Sequence, residues 1–403
     1  MANVLVAFYN FARDKNNYIA MPPFYEGFIN GMVENGNNVF CFFYKTYSYD
    51  FPRDIDSALL EKLKKFDPDV CFYFNNNFYD IVKYFNIPMV VYDVDSPAMY
   101  KNKDAIERNR GIYKFITIQS SEVKNIRRIC KADVKDIAYI EPFTAIQPAK
   151  SGKILHNIGY IGTNMTWGGA ASVLELAKNV RSAEDRQKAL QNLQKFYKKP
   201  YTPIDDTYAT TPLKMVDNHF EFMSRLSGIR RQRHLSAIAD LGLEIRGTYW
   251  HQENMRYFPE LVLSYNPKPV YGIRDSENFY NSCRVCPNIS HIQATSGFSW
   301  RVLDVMASSA CLVTEKKKDL QALFGKVVST FSSEYGLRRK CVHLLKHEDE
   351  RRDIVKECNK IIDEKYRFGS MLEKIEGFLD MKLRGEKRGE IQYFHDLMLA
   401  QPH

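Results

Sequence analysis

No window of the 403-residue chain approaches 18 uninterrupted apolar residues, the length a spanning helix needs. The first ten residues have no basic region followed by a cleavage site; they read as a strand, and the expected location is the cytoplasm. No G-x-x-x-x-G-K-[ST] occurs, and the first half lacks G-x-G-x-x-G, which disfavours a P-loop NTPase and a dinucleotide-dependent dehydrogenase. Cysteine is sparse. Eight residues are scattered mostly through apolar strand-like runs, the usage of reduced, buried thiols, and only Cys283 and Cys286 form a C-x-x-C. A zinc site on that pair wants a second such pair or histidines at ligand spacing beside it, and no metal is expected. Zinc-finger spacing, RNP-type aromatics and a continuous basic arm are absent too, so nucleic acid is not an expected partner.

What is present is a large stock of core-forming residues. Hydrophobic residues make up 45% of the chain, with 26 Phe and 25 Tyr, enough to exclude disorder and to build two or three domains. Formal charge is +9, with the excess concentrated at Arg225 to Arg233 and in helical C-terminal stretches. A phosphate-bearing ligand plus a lightly basic surface accounts for that distribution.

The N-terminal half alternates apolar strands (Val4 to Phe8, Asn38 to Tyr44, Val70 to Phe74, Met89 to Asp93, Phe115 to Gln119, Ile137 to Ile140) with helices at Pro23 to Asn35, Asp56 to Phe66 and Ser121 to Cys130. Strands that are almost continuously apolar and alternate with helices predict a parallel sheet covered on both faces, a Rossmann-like domain over residues 1–145. Glu141 to Lys153, with Pro142, Pro148 and Gly152, reads as a linker. A second α/β domain over 146–380 opens with the strand Asn157 to Ile161, is interrupted by a helical insertion at 165–225, and resumes with a helix from Ile229 to Leu241. Residues 381–403 are expected to form a helical tail, in which Met381 to Arg388 could lie on a membrane surface.

The most informative stretch is Ser296-Gly297-Phe298-Ser299-Trp300-Arg301-Val302-Leu303-Asp304, running on through Cys311 to Glu315. Physically it is a loop, a helix start with free N–H groups, and a small-residue turn into a buried strand, a start suited to a phosphate. This run resembles the donor-site motif of retaining-type GT-B glycosyltransferases, and is most similar to the CgeB-like group. Tyr92-Asp93-Val94-Asp95-Ser96-Pro97, Ile140-Glu141-Pro142-Phe143 and Gly159-Tyr160-Ile161-Gly162-Thr163 match that group in the expected order, apart from the insertion. The chain is also similar to the β-Kdo transferase domain of WbbB-type O-antigen enzymes.

The resemblance implies two Rossmann-like domains facing across a cleft, with C-terminal helices, and transfer of a sugar from a nucleotide donor to a glycan or lipid-linked glycan acceptor. Lipopolysaccharide or capsule is the acceptor class it suggests, CMP-Kdo one donor, retention the outcome, and peripheral contact at the inner face of the membrane an allied expectation. No cofactor or metal is called for. It assigns Gly162, Thr163 and Asn164 to donor phosphate or sugar, Gly297, Phe298, Ser299 and Arg301, with Ser296, to the donor phosphate, and Asp304 to ribose or sugar hydroxyls. Each has an ordinary structural alternative: a strand-to-helix turn, a surface arginine, a capping aspartate. Glu315 ends the strand after that helix, with a solvated strand end as its alternative.

With the insertion looped out, Gly228 to His234 becomes the N-terminal end of the second domain's first helix. Cations there oppose the helix dipole and want an anion nearby, so Arg230, Arg231 and Arg233 are expected to hold a leaving phosphate or a sugar carboxylate. Asp95, after a strand terminus, is placed to orient or deprotonate an acceptor hydroxyl, unless it only caps a Ser-Pro turn. Gln232 cannot be the carboxylate that double displacement requires; it is a substrate-positioning amide, a surface residue, or a replacement for an acid. His251 and His291 are the histidines placed for sugar contact, with a structural role as the alternative. The competing class is a non-catalytic nucleotide- or glycan-binding module that has kept the fold.

Overall fold

The computed structural model describes residues 1–9, 21–44, 57–74, 81–94, 96–97, 100, 103–165, 219–250, 255, 258–268 and 270–395. The chain divides into two compact units, Met1–Ala145 with Tyr366–His403, and Ile146–Lys365.

The first unit is built on β1 (Asn3–Tyr9), β2 (Asn38–Tyr44), β3 (Val70–Phe74), β4 (Met89–Asp93), β5 (Tyr113–Thr117), β6 (Ile137–Tyr139) and β12 (Ile391–His395), in the order β12-β2-β1-β3-β4-β5-β6. Every pairing is parallel, with Val4 opposite Val39 and Val70. Alternate residues serve opposite faces. Leu5, Phe40, Cys71, Tyr73, Val91 and Phe115 share one core with Leu59 and Leu63 of α2 (Ser57–Phe66) and Ile126 of α4 (Glu122–Cys130); α3 is Lys103–Arg108. On the other face Phe72, Phe74 and Tyr92 meet Phe24 and Phe28 of α1 (Pro23–Glu34) edge-on. Two covered faces are why these strands read as unbroken apolar runs rather than alternating ones.

The second unit carries β7 (His156–Ile161), β8 (Leu243–Arg246), β9 (Cys283–Asn288), β10 (Cys311–Glu315) and β11 (Ser329–Phe331), all parallel, in the order β11-β10-β9-β7-β8. Among the described residues its helices are α5 (His219–Ser236), α6 (Glu260–Ser264), α7 (Gly272–Asn281), α8 (Arg301–Ala307), α9 (Lys318–Phe324), α10 (Glu334–Lys346) and α11 (Glu348–Lys365). The core gathers Ile158, Tyr160, Ile245, Trp250, Val285, Val313 and Leu337. From β7 the chain goes to β8 on one side and later to β9 on the other, so a topological switch point, the place where such sheets take ligands, lies between the carboxyl ends of β7 and β9.

Several sequence expectations are corrected. Residues 366–380, assigned above to the second domain, belong to the first: α12 (Phe368–Leu379) lays Phe368 against Phe28 and Phe143. Gly31 permits this approach, since a Cβ there would sit 2.3 Å from the Phe368 ring. The tail over 381–403 is not a helix where it is described. Met381 to Arg388 is irregular with Leu383 buried, and Ile391–His395 adds an edge strand to β2. Long-range pairing wins over helical spacing in this segment because β2 offers an open backbone edge. The helix expected from Ile229 is already formed at His219, and among the described residues it runs His219–Ser236. The insertion at 165–225 lies almost wholly outside the described residues.

Candidate functional site

The site begins at the carboxyl end of β7. Gly162 receives the Trp250 indole N–H on its carbonyl at 2.6 Å and donates its own N–H to the Arg246 carbonyl at 3.0 Å. Asn164 donates its backbone N–H to the Thr248 carbonyl at 2.9 Å, and the Thr163 and Thr248 hydroxyls lie 3.1 Å apart. Gly247, at φ +132°, makes this pairing possible, since a Cβ there would stand 2.2 Å from the Gly162 carbonyl oxygen. The Gly162-Thr163-Asn164 turn is therefore fixed by the end of β8.

Helix α5 runs behind this turn. The fully buried Arg231 donates from Nη1 to the Thr163 carbonyl at 2.6 Å, and Gln232 donates from Nε2 to the Asn164 side-chain oxygen at 3.0 Å. Arg230 pairs with Glu315 at the end of β10. Burial pushes the Glu315 carboxyl upward, but Arg230, Lys317 and the Ser290 N–H outweigh it, leaving it below the usual carboxylate range. Glu315 is thus neither solvated nor idle; it also accepts the Ser290 backbone N–H at 2.9 Å.

Because α5 starts so far upstream, Arg230 to Arg233 sit in its C-terminal half rather than at its N-terminus. The dipole argument for an anion at that point fails, since cations suit the C-terminal end. Geometry supplies a different argument. Arg231 is held below the ordinary guanidinium range by burial, and the neighbouring Arg301 and Arg230 act in the same direction. Its Nε is buried and has no hydrogen-bond partner among the described residues. Arg231 thus lies within electrostatic reach of the Arg230 and Arg301 guanidiniums and of the Glu315 carboxylate. Arg233 points elsewhere, to Glu334 at the start of α10 at 3.0 Å, and is spent on holding the two helices together.

Arg301 and Ser299 are oriented by a residue that sequence reasoning passed over. Asn288, fully buried at the end of β9, accepts from Arg301 Nη1 and from the Ser299 hydroxyl, both at 3.3 Å, and donates to the Thr314 hydroxyl at 2.9 Å. The Arg301 guanidinium also lies 5.7 Å over the Tyr160 ring. Its local sequence carries no signal that separates it from other strand-end asparagines. Lys317, which reaches the Ala294 carbonyl, is a second omission.

The remaining candidates divide. His291 Nε2 is buried without a partner among the described residues, and burial, reinforced by Arg231 and Arg230, pushes its pKa down to about 3, so the imidazole is neutral near pH 7. Ser296 donates to Asp319 at 2.8 Å, and Phe298 turns into the core against Phe324, ring centroids 5.7 Å apart; both hold the loop in place. Gly297 is buried in the same loop, and Asp304 is buried on α8. Asp95 and His251 lie outside the described residues. All eight cysteines are free and buried. No helix among the described residues is long and apolar enough to cross a membrane.

Residues 230–377 match the family model described as glycosyl transferase-like, a stretch that holds Arg230, Arg231, Asn288, Arg301 and Glu315. No curated protein sequence matches. Among solved structures, a glycosyltransferase from Rickettsia africae is 10% identical with a TM-score of 0.46, covering 94% of this chain and 97% of its own. HepE of Anabaena, solved with UDP and glucose, is 9% identical with a TM-score of 0.49, covering 94% and 100%. The sucrose-phosphate synthase of Thermosynechococcus elongatus is 11% identical with a TM-score of 0.49, covering 93% and 98%.

Proposed function

We propose that the chain is a glycosyltransferase of the GT-B type whose second unit holds a nucleotide-activated sugar by its phosphate. The observation that carries this reading is the guanidinium excess at the switch point, where Arg231 lies within electrostatic reach of Arg230 and Arg301 and keeps a buried Nε with no partner among the described residues. Burying such a group is costly unless an anion completes its hydrogen bonds. A phosphate oxygen does so through paired, charge-assisted N–H donors. The glycosyl transferase-like match over 230–377 supports the same reading.

In this scheme Arg231 and Arg301 stabilise the negative charge that grows on the leaving nucleotide as the glycosidic bond breaks. Asn288 positions Arg301, and Gln232, through Asn164, positions the turn after β7. The neutral His291 adds no charge of its own and offers its Nε2 for a hydrogen bond to the donor. The Gln232 amide is engaged in the scaffold and supplies no nucleophile. Retention at the anomeric carbon and a glycan acceptor on the first unit, with Asp95 as the acceptor-side carboxylate, follow from the family resemblance. An acidic donor such as CMP-Kdo suits the arginine excess as well as a nucleoside diphosphate sugar does, because its carboxylate and phosphate divide the charge.

The test is a panel of UDP, GDP, ADP and CMP sugars, each measured for thermal stabilisation and for sugar transfer. One nucleotide class should raise the melting temperature and support turnover with a surface-glycan acceptor. Absence of any shift across the panel overturns the reading, whereas stabilisation without turnover favours the binding module.

A further inference from the structure

Far along the second unit from the arginines in sequence, the last turn of α10 and the first turn of α11 bring together His343, His347 and Glu350. One ligand atom from each lies within 4.8 Å of the other two. His347, the residue just past the end of α10, follows His343 by four positions, and the two rings stack with centroids 4.1 Å apart. Glu350 reaches back across the turn between the helices and places Oε2 2.7 Å from His343 Nε2. His347 Nδ1 lies 2.8 Å from the His343 carbonyl oxygen. With the proton on Nδ1 that contact is a donated hydrogen bond, which leaves the Nε2 lone pair free and orients the ring, as the outer partners of metal-ligating histidines do.

We propose that His343, His347 and Glu350 form a binding site for a divalent late first-row cation, with zinc as the fitting probe. Two imidazoles and one carboxylate suit that class of ion, and a tetrahedral ion held by three protein ligands keeps a fourth position for water. The bound cation replaces the hydrogen bond between His343 and Glu350, with the His343 imidazole ligating through Nε2 as its Nδ1–H tautomer. Side-chain exposures of 43% for His343 and 52% for Glu350 leave the ion an open path.

The consequence reaches the neighbouring helices. The cation clips α10 to α11, and α11 in turn supports α8, because Asn359 donates to the carbonyls of Met306 at 2.7 Å and Ser308 at 3.0 Å at the end of that helix. A metal at this turn would therefore stiffen the layer beneath Arg301 without touching the donor. The proposal is independent of the glycosyltransferase reading.

The experiment titrates the untagged, chelator-treated full chain with Zn²⁺ by calorimetry and with Co²⁺ by visible absorption. One saturable equivalent is expected, together with a higher melting temperature in its presence. His343→Gln and His347→Gln should each weaken the affinity by roughly tenfold or more, since even the loss of an outer partner costs about that much. Their metal-free melting curves should stay close to the parent's, because the residues are solvent-reachable. Uptake with unchanged affinity in both variants, or no saturable uptake by the parent, overturns the proposal.

Discussion

Replacing Arg231 by methionine separates a ligand-binding role from a structural one. The parent side chain donates from Nη1 to the Thr163 carbonyl and keeps a buried Nε with no partner among the described residues. A hydrogen bond from a charged donor contributes about 1.5–3 kcal/mol. Against that loss, Met removes a desolvated charge that faces Arg230 and Arg301, and the effective penalty for burying one ion is several kcal/mol. The two effects oppose each other, so the ligand-free variant should unfold within about 1 kcal/mol of the parent. The bound state behaves differently. If a phosphate completes the guanidinium's hydrogen bonds, Met forfeits one or two charge-assisted bonds, about 1.5–3 kcal/mol each, or roughly 10-fold to 10,000-fold in nucleotide affinity. Urea unfolding without ligand and calorimetric titration with the nucleotide identified by the donor panel measure the two quantities separately. A variant that loses several kcal/mol of stability yet binds nucleotide as the parent does refutes the argument and makes Arg231 a structural residue.

The two other predictions concern packing and pH. Gly31→Ala drives a methyl to within 2.3 Å of the Phe368 ring and should cost about 1–3 kcal/mol; the Gly31→Ala/Phe368→Ala double variant should lose less than the sum of the two single losses, measured as a double-mutant cycle in urea. His291 and His234 have pKa values pushed down to about 3 and about 4, chiefly by burial. Above pH 6.5 both are neutral folded and unfolded, so they impose no pH dependence there. Below it the unfolded chain takes up protons that the folded chain refuses, and stability should fall toward pH 4 by up to about 1.4 kcal/mol per unit for each histidine. His291→Gln should flatten that slope, and an unchanged slope would refute the assignment.

Local pattern revealed the strands and turns well. Asn38–Tyr44, Val70–Phe74 and Met89–Asp93 are legible to the residue because a strand covered on both faces must be apolar throughout and is bounded by polar turns. The linker near Ala145 and the Gly162 turn were visible for the same reason, through proline and glycine. Arg230 and Arg231 were legible as charges, but the reason first attached to them was wrong, because the start of α5 cannot be read from a stretch without periodicity. Asn288 was missed since nothing local distinguishes a buried orienting amide from any strand-end asparagine.

What the sequence determined by itself was therefore the two parallel α/β units and the small set of polar residues at their strand ends, because those depend on neighbours a few positions away. Only the tertiary structure decided which arginine meets Thr163, which meets Glu315 and which is spent on Glu334. The same holds for Phe368 settling on Gly31 and for Ile391–His395 joining β2. Those choices rest on contacts between residues tens to hundreds of positions apart, where shape, burial and an open sheet edge outweigh any local preference.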